Sequence, residues 1–110
     1  MSWDADLFQE FGPSLGDWNY THNTSPMIYV VLRESGNEVD GTWWNTLDGM
    51  DAPTSAKYLG LIIDGLVKDP ARFRAMNPKN GWGDYDSLIQ ILKEMRDRIP
   101  EAPVRWSCSG

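Results

Sequence analysis

The most informative stretch of this chain reads Asn77-Pro78-Lys79-Asn80-Gly81-Trp82-Gly83-Asp84-Tyr85. Proline fixes φ and lacks an N–H, glycine permits positive φ, and asparagine tolerates the left-handed region. The stretch therefore cannot form a regular helix or strand, and we expect a shaped loop. Because Trp82 lies between two glycines, its indole either pins the loop to neighbouring elements as a structural latch or forms a wall of a binding site. The latch is the favoured interpretation.

The segment after this loop predicts an amphipathic helix over residues 84–99. Asp84 is suited to cap its N-terminus, Pro100 ends it, and Arg96 and Arg98 suit the negative end of the helix dipole. Its apolar positions recur at helical spacing and form one stripe. They are Leu88, Ile89, Leu92, Met95 and Ile99.

Two helices are predicted before the loop. Cap candidates from Asp51 to Thr54 start a helix over 54–68, and Asp69-Pro70 starts a short second one. The apolar face of the long helix is Ala56, Leu59, Ile62, Ile63, Leu66 and Val67. Since the two apolar stripes must be covered, we expect the long helices to pack together. The residues expected to be buried there are Leu59, Ile63, Leu66, Leu88, Ile89, Leu92 and Met95.

Alternating side chains near both ends of the chain predict a small antiparallel sheet. An N-terminal hairpin would turn at residues 12–17, and a C-terminal strand would join it at one edge. The inward positions are expected to be Trp3, Ala5 and Leu7 in the first strand, Trp18, Tyr20 and His22 in the second, and Val104, Trp106 and Cys108 in the third.

The segment between the hairpin and the first long helix is less regular. Ser25 is a plausible N-cap and Pro26 a good first helical residue, so the apolar run at 27–32 predicts a helix of about ten residues. Its β-branched residues also fit a buried strand. The apolar residues from 37 to 50 show no regular spacing. Two adjacent tryptophans there are expected to hold an ordered loop.

Together these elements predict a single α+β domain over residues 1–110. A small antiparallel sheet, formed by the N-terminal hairpin and the C-terminal strand, is backed by two long amphipathic helices and one or two short ones. The composition, 41% hydrophobic and 24% charged, is that of an ordinary globular domain. Six tryptophans in 110 residues serve either a small core or an interface.

Charge is distributed unevenly along the chain, whose net charge is −6. Residues 1–50 contain eight acidic residues and one basic residue, whereas residues 51–110 contain eight acidic and nine basic residues. We expect no nucleic-acid partner, because the sequence contains no cluster of basic residues. No apolar run is long enough to span a bilayer and the N-terminus lacks the layout of a secretory signal, so we expect no membrane partner and a cytoplasmic location.

Few residues suggest catalysis, metal binding or a cofactor. His22 is the single histidine, and a lone histidine in a turn is more often structural than a general base. Asp4 and Asp6 would hold a cation only if further oxygen ligands converged, and Cys108 has no second cysteine. No phosphate-binding glycine motif is present. We therefore expect no catalytic residue, no metal site, no cofactor and no enzymatic activity.

Two polar segments suggest a candidate binding site. Residues 19–23 and 77–85 each contain more amide and hydroxyl groups than their own turns require, and buried polar groups need partners. We expect the two segments to pack side by side and to form one concave polar surface with Trp82 as its apolar wall. The candidate binding residues are Asn19, Thr21, His22, Asn23, Asn77, Asn80, Trp82 and Tyr85.

Several motifs occur together along most of the chain. They are Trp3-Asp4, Asn19-Tyr20-Thr21-His22-Asn23 followed by Met27, Gly65-Leu66, Asp69-Pro70-Ala71-Arg72-Phe73, and the run from Asn77 to Tyr85. In these motifs the chain resembles a family of short, mostly uncharacterised proteins from bacteriophages and from bacterial genomes that carry prophages, and it departs most at residues 33–55. The resemblance implies a phage accessory protein in the cytoplasm of the host bacterium, and it implies no reaction.

Two functions follow as expectations. The first is a non-enzymatic protein that binds and modulates a host bacterial protein through exposed aromatic residues and its acidic first half. The second is a protein that binds or sequesters a small ligand or nucleotide in the cleft between the His22 turn and the loop at Gly81–Asp84. An enzyme that uses His22 and a structural role in the virion are weaker alternatives. The sequence does not predict the oligomeric state.

Overall fold

The computed structural model describes all 110 residues and contains one three-stranded sheet and five helices. The strands are β1 (Ser2–Gln9), β2 (Ser14–Thr21) and β3 (Val104–Ser109). The helices are α1 (Ser25–Glu34), α2 (Trp43–Leu47), α3 (Ala52–Val67), α4 (Pro70–Arg74) and α5 (Tyr85–Arg98). A 3₁₀ turn, His22–Thr24, joins β2 to α1. The predicted α+β class is confirmed.

β1 is the central strand of the sheet, because β2 and β3 both pair with it in antiparallel orientation. Asp4 lies opposite Asn19 of β2 on one side and opposite Ser109 of β3 on the other. The apolar residues of β1 alternate with the polar ones and are fully buried, as the period-2 pattern predicts. They are Trp3, Ala5 and Leu7. The predicted hairpin and the predicted C-terminal edge strand are both confirmed.

The long helices α3 and α5 pack against each other, and their buried faces join those of α1 and the sheet in one core. The Oη atom of Tyr85 donates a hydrogen bond of 2.8 Å to the carbonyl of Leu66, which ties the start of α5 to the end of α3. The predicted helix-packing residues are buried with one exception, Ile89, which is half-buried. Val67, which the pattern also placed on the apolar face, is 41% exposed because α3 ends there.

Three aspartates cap helices as the sequence predicts. Each carboxylate accepts a hydrogen bond from a backbone N–H three residues further along, which satisfies one of the free donors of the first turn. The pairs are Asp51 with Thr54 at 3.0 Å, Asp69 with Arg72 at 3.3 Å, and Asp84 with Ser87 at 2.7 Å.

The predicted hairpin turn is too long. β2 already begins at Ser14, so Gly16 lies within the strand, opposite Leu7. His22 does not belong to β2 either, because β2 ends at Thr21. The Oγ1 atom of Thr21 accepts a hydrogen bond of 3.2 Å from the N–H of Asn23, and this cap starts the 3₁₀ turn that contains His22.

Two further local predictions are wrong. Ser25 is the first residue of α1 rather than its cap, and its buried Oγ atom accepts a 3.1 Å hydrogen bond from Nε1 of Trp43. The expected loop around the two tryptophans contains α2, which Thr42 caps by accepting a hydrogen bond from the N–H of Asn45. A helix of five residues is too short to show a helical period in the sequence.

None of the five helices combines the length and the apolar character that crossing a membrane requires.

Candidate functional site

The loop at 77–84 is fastened to the end of β2 by its backbone. The N–H of Asp84 donates a hydrogen bond of 3.0 Å to Oη of Tyr20. Gly83 lies so close to the β2 end that a Cβ atom there would be 2.5 Å from Cγ2 of Thr21 and 3.1 Å from Cγ2 of Thr24. Gly83 also has φ of 98°, which disfavours any other residue. The two segments therefore lie side by side, as the sequence predicts.

Two asparagines fix the shape of this loop from within. Oδ1 of Asn77 accepts a hydrogen bond of 2.8 Å from the N–H of Tyr85, and Oδ1 of Asn80 accepts one of 3.0 Å from the N–H of Trp82. The N–H of Gly81 also donates to the carbonyl of Pro78, at 3.3 Å. The loop thus keeps its conformation without using the indole of Trp82.

Trp82 projects into solvent from this fixed loop. Trp82 is 69% exposed, whereas the other five tryptophans of the chain are buried or half-buried. The interpretation in which the indole pins the loop to neighbouring elements is therefore wrong. The backbone of Gly83 and Asp84 is the latch, and the side chain of Trp82 is left free.

A cleft of about 680 Å³ opens between the loop and the end of the hairpin, with Trp82 as one wall. Its lining residues are Met1, Ser2, Asn19, Tyr20, Thr21, Asn23, Asn80, Gly81, Trp82 and Gly83. Five predicted site residues therefore belong to it: Asn19, Thr21, Asn23, Asn80 and Trp82. Tyr20, Gly81 and Gly83 also line it and lie within the two predicted segments, whereas Met1 and Ser2 were missed by the sequence analysis. The register of β1 with β2, in which Ser2 faces Thr21, is the signal that would have added the N-terminus.

Three predicted site residues do not line the cleft. The ring of His22 faces away toward Trp44, with ring centroids 6.5 Å apart. Tyr85 is buried and stacks on Phe73, because it occupies the first position of α5 with its side chain in the core. The side-chain oxygen of Asn77 binds the backbone of the loop itself.

The expectation that the two polar segments satisfy each other is mostly wrong. Asn19 donates its Nδ2 protons within the sheet, to Oδ1 of Asp4 at 2.7 Å and to Oγ of Ser2 at 3.1 Å. Asn80 binds within its own loop, and the hydrogen bond of Asn23 uses its backbone N–H. One hydrogen bond, from Asp84 to Tyr20, joins the segments. The side-chain amide of Asn23 is therefore left available to a ligand or partner.

No charged side chain lines the cleft, although an acidic surface adjoins it. On the open face of the sheet Asp6 lies opposite Asp17 and two residues from Asp4. Burial raises the pKa of Asp6, and the negative charges of Asp17 and Asp4 raise it further. A basic partner surface would reduce this repulsion, whereas a phosphate group would meet no lysine or arginine side chain in the cleft.

Other groups with chemical potential offer no second site. The structure brings no three His, Cys, Asp or Glu side chains into a cluster that could hold a metal ion. Burial, with smaller contributions from Asp48 and Asp6, raises the pKa of Cys108 to about 12, so its thiol stays protonated near neutral pH. The arrangement at the cleft can bind a partner, but it places no base beside a nucleophile.

Comparisons with protein-family models, with curated proteins and with solved structures found no match to this chain.

Proposed function

We propose that this protein is a non-enzymatic binding protein that attaches to and modulates a host bacterial protein in the bacterial cytoplasm, as a phage accessory protein would. The partner contacts the Trp82 cleft, defined by the residues that line it. The phage context comes from the sequence motifs described above, and the mode of binding is inferred from the geometry of the cleft.

The observation that carries the proposal is the exposed indole on a fixed loop. Trp82 is 69% exposed, and the loop is shaped by Asn77, Asn80 and Gly83 without it. Tryptophan is among the residues that contribute most to protein interfaces when a partner covers it. Because the loop is already ordered, binding of a partner would cost little conformational entropy of the loop.

The charge around the cleft indicates the charge of the partner surface that would bind there. The open sheet face beside the cleft carries Asp4, Asp6 and Asp17, and the first fifty residues contain a single base. Complementary charge steers association and disfavours partners of like charge. The partner surface is therefore expected to hold basic residues beside an apolar recess that accepts the indole.

Affinity capture with a point variant tests this proposal. Tagged wild-type protein and the Trp82→Ala variant would each be incubated with lysate of the host bacterium, and a protein captured by the wild type would then be purified for calorimetry. We expect Trp82→Ala to weaken that binding roughly thirtyfold or more, as loss of a central interface aromatic does. Phe11→Gly, which removes another exposed aromatic far along the hairpin, is the matched control and should bind as the wild type. Equal binding by Trp82→Ala would contradict the proposal.

A small neutral ligand is the second candidate for the same cleft. Its volume suits such a ligand, and the side-chain amide of Asn23 makes no hydrogen bond within the chain. An amide both donates and accepts, and the face of Trp82 suits a flat or C–H-rich ring. No lysine or arginine side chain lines the cleft, which disfavours nucleotides relative to nucleosides or sugars. A ligand of this kind should raise the melting temperature of the wild type and not of Asn23→Ala.

A further inference from the structure

The two outer strands of the sheet differ in how their free edges are covered. β1 pairs with both neighbours, so β2 and β3 each have one edge that no other strand pairs with. On β3, Trp106 accepts a 2.8 Å hydrogen bond from the N–H of Gly49 and donates one of 3.2 Å to the carbonyl of Met50. The N–H of Cys108 donates to Oδ1 of Asp48 at 2.8 Å. The segment between α2 and α3 therefore closes the β3 edge.

The edge of β2 is open at its middle. In an antiparallel ladder, residue pairs that exchange both backbone hydrogen bonds alternate with pairs that exchange none. The N–H of His22 donates to the carbonyl of Met1, which fixes this alternation for β1 and β2. By alternation the N–H and C=O groups of Asp17 and Asn19 point away from β1, and no other group of the chain bonds to them. We call these four backbone groups the β2 edge.

Side chains of the protein limit the β2 edge at both ends. Nη1 of Arg98 donates a hydrogen bond of 2.9 Å to the carbonyl of Leu15. Oγ1 of Thr24 donates one of 3.4 Å to the carbonyl of Thr21. Between these points nothing covers the strand, and unpaired backbone groups at a sheet edge are a template for pairing with another chain. Because only two residues are open, an added strand would be short.

We propose that an extended, basic segment of the partner protein pairs with the β2 edge as a fourth antiparallel strand. This inference rests on the proposed function, since it states how the partner of the Trp82 cleft is held. Asn19 lines that cleft as well, so the cleft and the β2 edge form one continuous surface. Main-chain hydrogen bonds at a sheet edge provide affinity, and side chains at alternate positions provide specificity. The added strand runs from the cleft toward Asp17, opposite to the direction of β2.

Acidic residues beside the β2 edge determine which side chains this segment carries. Side chains of the added strand opposite Asp17 and Asn19 would lie on the open face of the sheet. On that face Asp17 lies opposite Asp6, and Asp4 lies opposite Asn19. None of these three carboxylates forms an ion pair within the chain. A lysine or arginine at these positions would therefore be attracted, and an acidic residue repelled.

Three cations border this region without pairing with those carboxylates. Arg98 lies on the helix side of β2, with its Cζ atom 5.7 Å from the centre of the Trp18 ring. Nη1 of Arg105 on β3 donates to the carbonyl of Gly49 at 3.0 Å, and the α-amino group of Met1 lies at the cleft end of the sheet. Intervening side chains of the added strand would face Arg98 and the half-buried Trp18. We therefore expect them to be apolar and the partner segment to alternate basic with apolar residues.

A peptide of that pattern tests the pairing. The probe is acetyl-Val-Lys-Val-Lys-Val-amide, whose lysines would lie opposite Asn19 and Asp17. By NMR of the free protein, the amides of these two residues should exchange with solvent quickly, and those of Trp106 and Cys108 slowly. At about nine-tenths saturation the probe should slow exchange at Asp17 and Asn19 about tenfold. No binding in the millimolar range, or binding without this protection, would overturn the proposal.

Backbone methylation of the probe distinguishes strand pairing from charge attraction alone. Methyl groups on both lysine nitrogens remove the N–H groups that face β2, whereas methyl groups on the nitrogens of the last two valines point away from it. We expect the lysine-methylated peptide to bind roughly tenfold or more weakly, as loss of two hydrogen bonds does. The valine-methylated peptide is the matched control and should bind as the unmodified probe. Equal affinity of the two methylated peptides would contradict pairing.

A charge exchange tests which residues the added strand carries. Asp17→Lys should bind the probe roughly tenfold more weakly and should bind a peptide with glutamates in place of the lysines more tightly than the probe. Asp40→Lys makes the same change at an exposed residue between α1 and α2, and should bind as the wild type. Equal binding of the probe by the wild type and Asp17→Lys would overturn the preference for a basic segment.

The protein captured by the wild type separates this inference from the proposed function. Asp17→Lys should weaken its binding, and Asp40→Lys should not. A captured protein that Trp82→Ala binds more weakly, but that Asp17→Lys binds as the wild type does, would overturn the strand pairing alone. Equal binding by Trp82→Ala would overturn the proposed function, whatever the probe shows at the β2 edge.

Discussion

Single glycines decide how the loop at 77–84 meets the hairpin. Gly83 and Gly81 both have positive φ, of 98° and 77°, but their surroundings differ. A Cβ atom on Gly83 would press on Thr21 and Thr24, whereas one on Gly81 would meet nothing within 4 Å. The first glycine therefore serves both conformation and close approach, and the second serves conformation alone.

Alanine at these two glycines should separate the two effects. Gly81→Ala should cost about 1–2 kcal/mol, the penalty for placing an ordinary residue in the left-handed region. Gly83→Ala should cost clearly more, because the loop must also move away from β2 and stretch the hydrogen bond between Asp84 and Tyr20. Urea denaturation of both variants measures the difference, and equal losses would show that the close approach contributes nothing.

Cys108 should be slow to react in the folded protein. Burial above all raises the pKa of its thiol to about 12, so the thiolate that attacks alkylating reagents is scarce at neutral pH. We expect iodoacetamide to modify Cys108 far more slowly in the native protein than in urea. Labelling at equal rates in both conditions would mean that β3 frays and exposes the thiol.

Among the secondary elements, those with strong local signals were the ones that sequence reasoning predicted well. Asp51, Asp69 and Asp84 combine a capping side chain with a helical apolar stripe, and each does cap a helix. The hairpin turn was misplaced because Gly16 looks like a turn residue. In the structure it lies inside β2 under the ring of Trp18, whose Cη2 would be 2.7 Å from an added Cβ. That packing reason for a glycine is not visible in the sequence.

The buried face of α5 provides the test of the packing between long helices. Leu92 is fully buried at the centre of the stripe that faces α3 and the sheet. Leu92→Ala should lower the free energy of unfolding by about 2–5 kcal/mol, which is the range for deleting a buried leucine. Lys93→Ala, on the exposed side of the same helix, is the control and should change stability little. A loss under about 0.5 kcal/mol for Leu92→Ala would be that of a surface position.

For the molecule as a whole, the sequence placed the two polar segments together but did not predict which side chains face the cleft. Their proximity follows from elements that could be located, the end of β2 and the start of α5. The start of α5 was predicted, but the direction of Tyr85 depends on its packing against Phe73. The direction of His22 depends on where β2 ends, to within one residue. A difference of one residue at the end of a strand is enough to turn a side chain away from the cleft. The sequence therefore predicted the segments that form the cleft but not every side chain that lines it.

Stability should fall in acid because of ion pairs and caps distributed over the molecule. Hydrogen bonds from Arg72 and Arg74 lower the pKa values of Glu34 and Asp86, and hydrogen bonds from Thr54 lower that of Asp51. A carboxyl group whose pKa is lower in the folded state stabilises the fold above its unfolded pKa and loses this contribution as the pH falls through its folded pKa.

The melting temperature should therefore change little between pH 7 and about 5 and should fall below about 4, where these carboxyl groups take up protons. The double variant Glu34→Gln, Asp86→Asn should start lower and show a shallower decline in acid. An identical decline in the variant, measured by thermal scans at each pH, would show that these ion pairs do not link pH to stability.

The central claim is that the side chain of Trp82 is exposed for contact with a partner and does not stabilise the fold. It is tested most directly by the free energy of unfolding of Trp82→Ala in urea. Since the indole is 69% exposed and the loop is fixed by its backbone and by Asn77 and Asn80, the variant should unfold within about 0.5 kcal/mol of the wild type, as surface substitutions do. A loss of about 3 kcal/mol or more, the range for removing a buried tryptophan, would make Trp82 a structural latch and contradict the account.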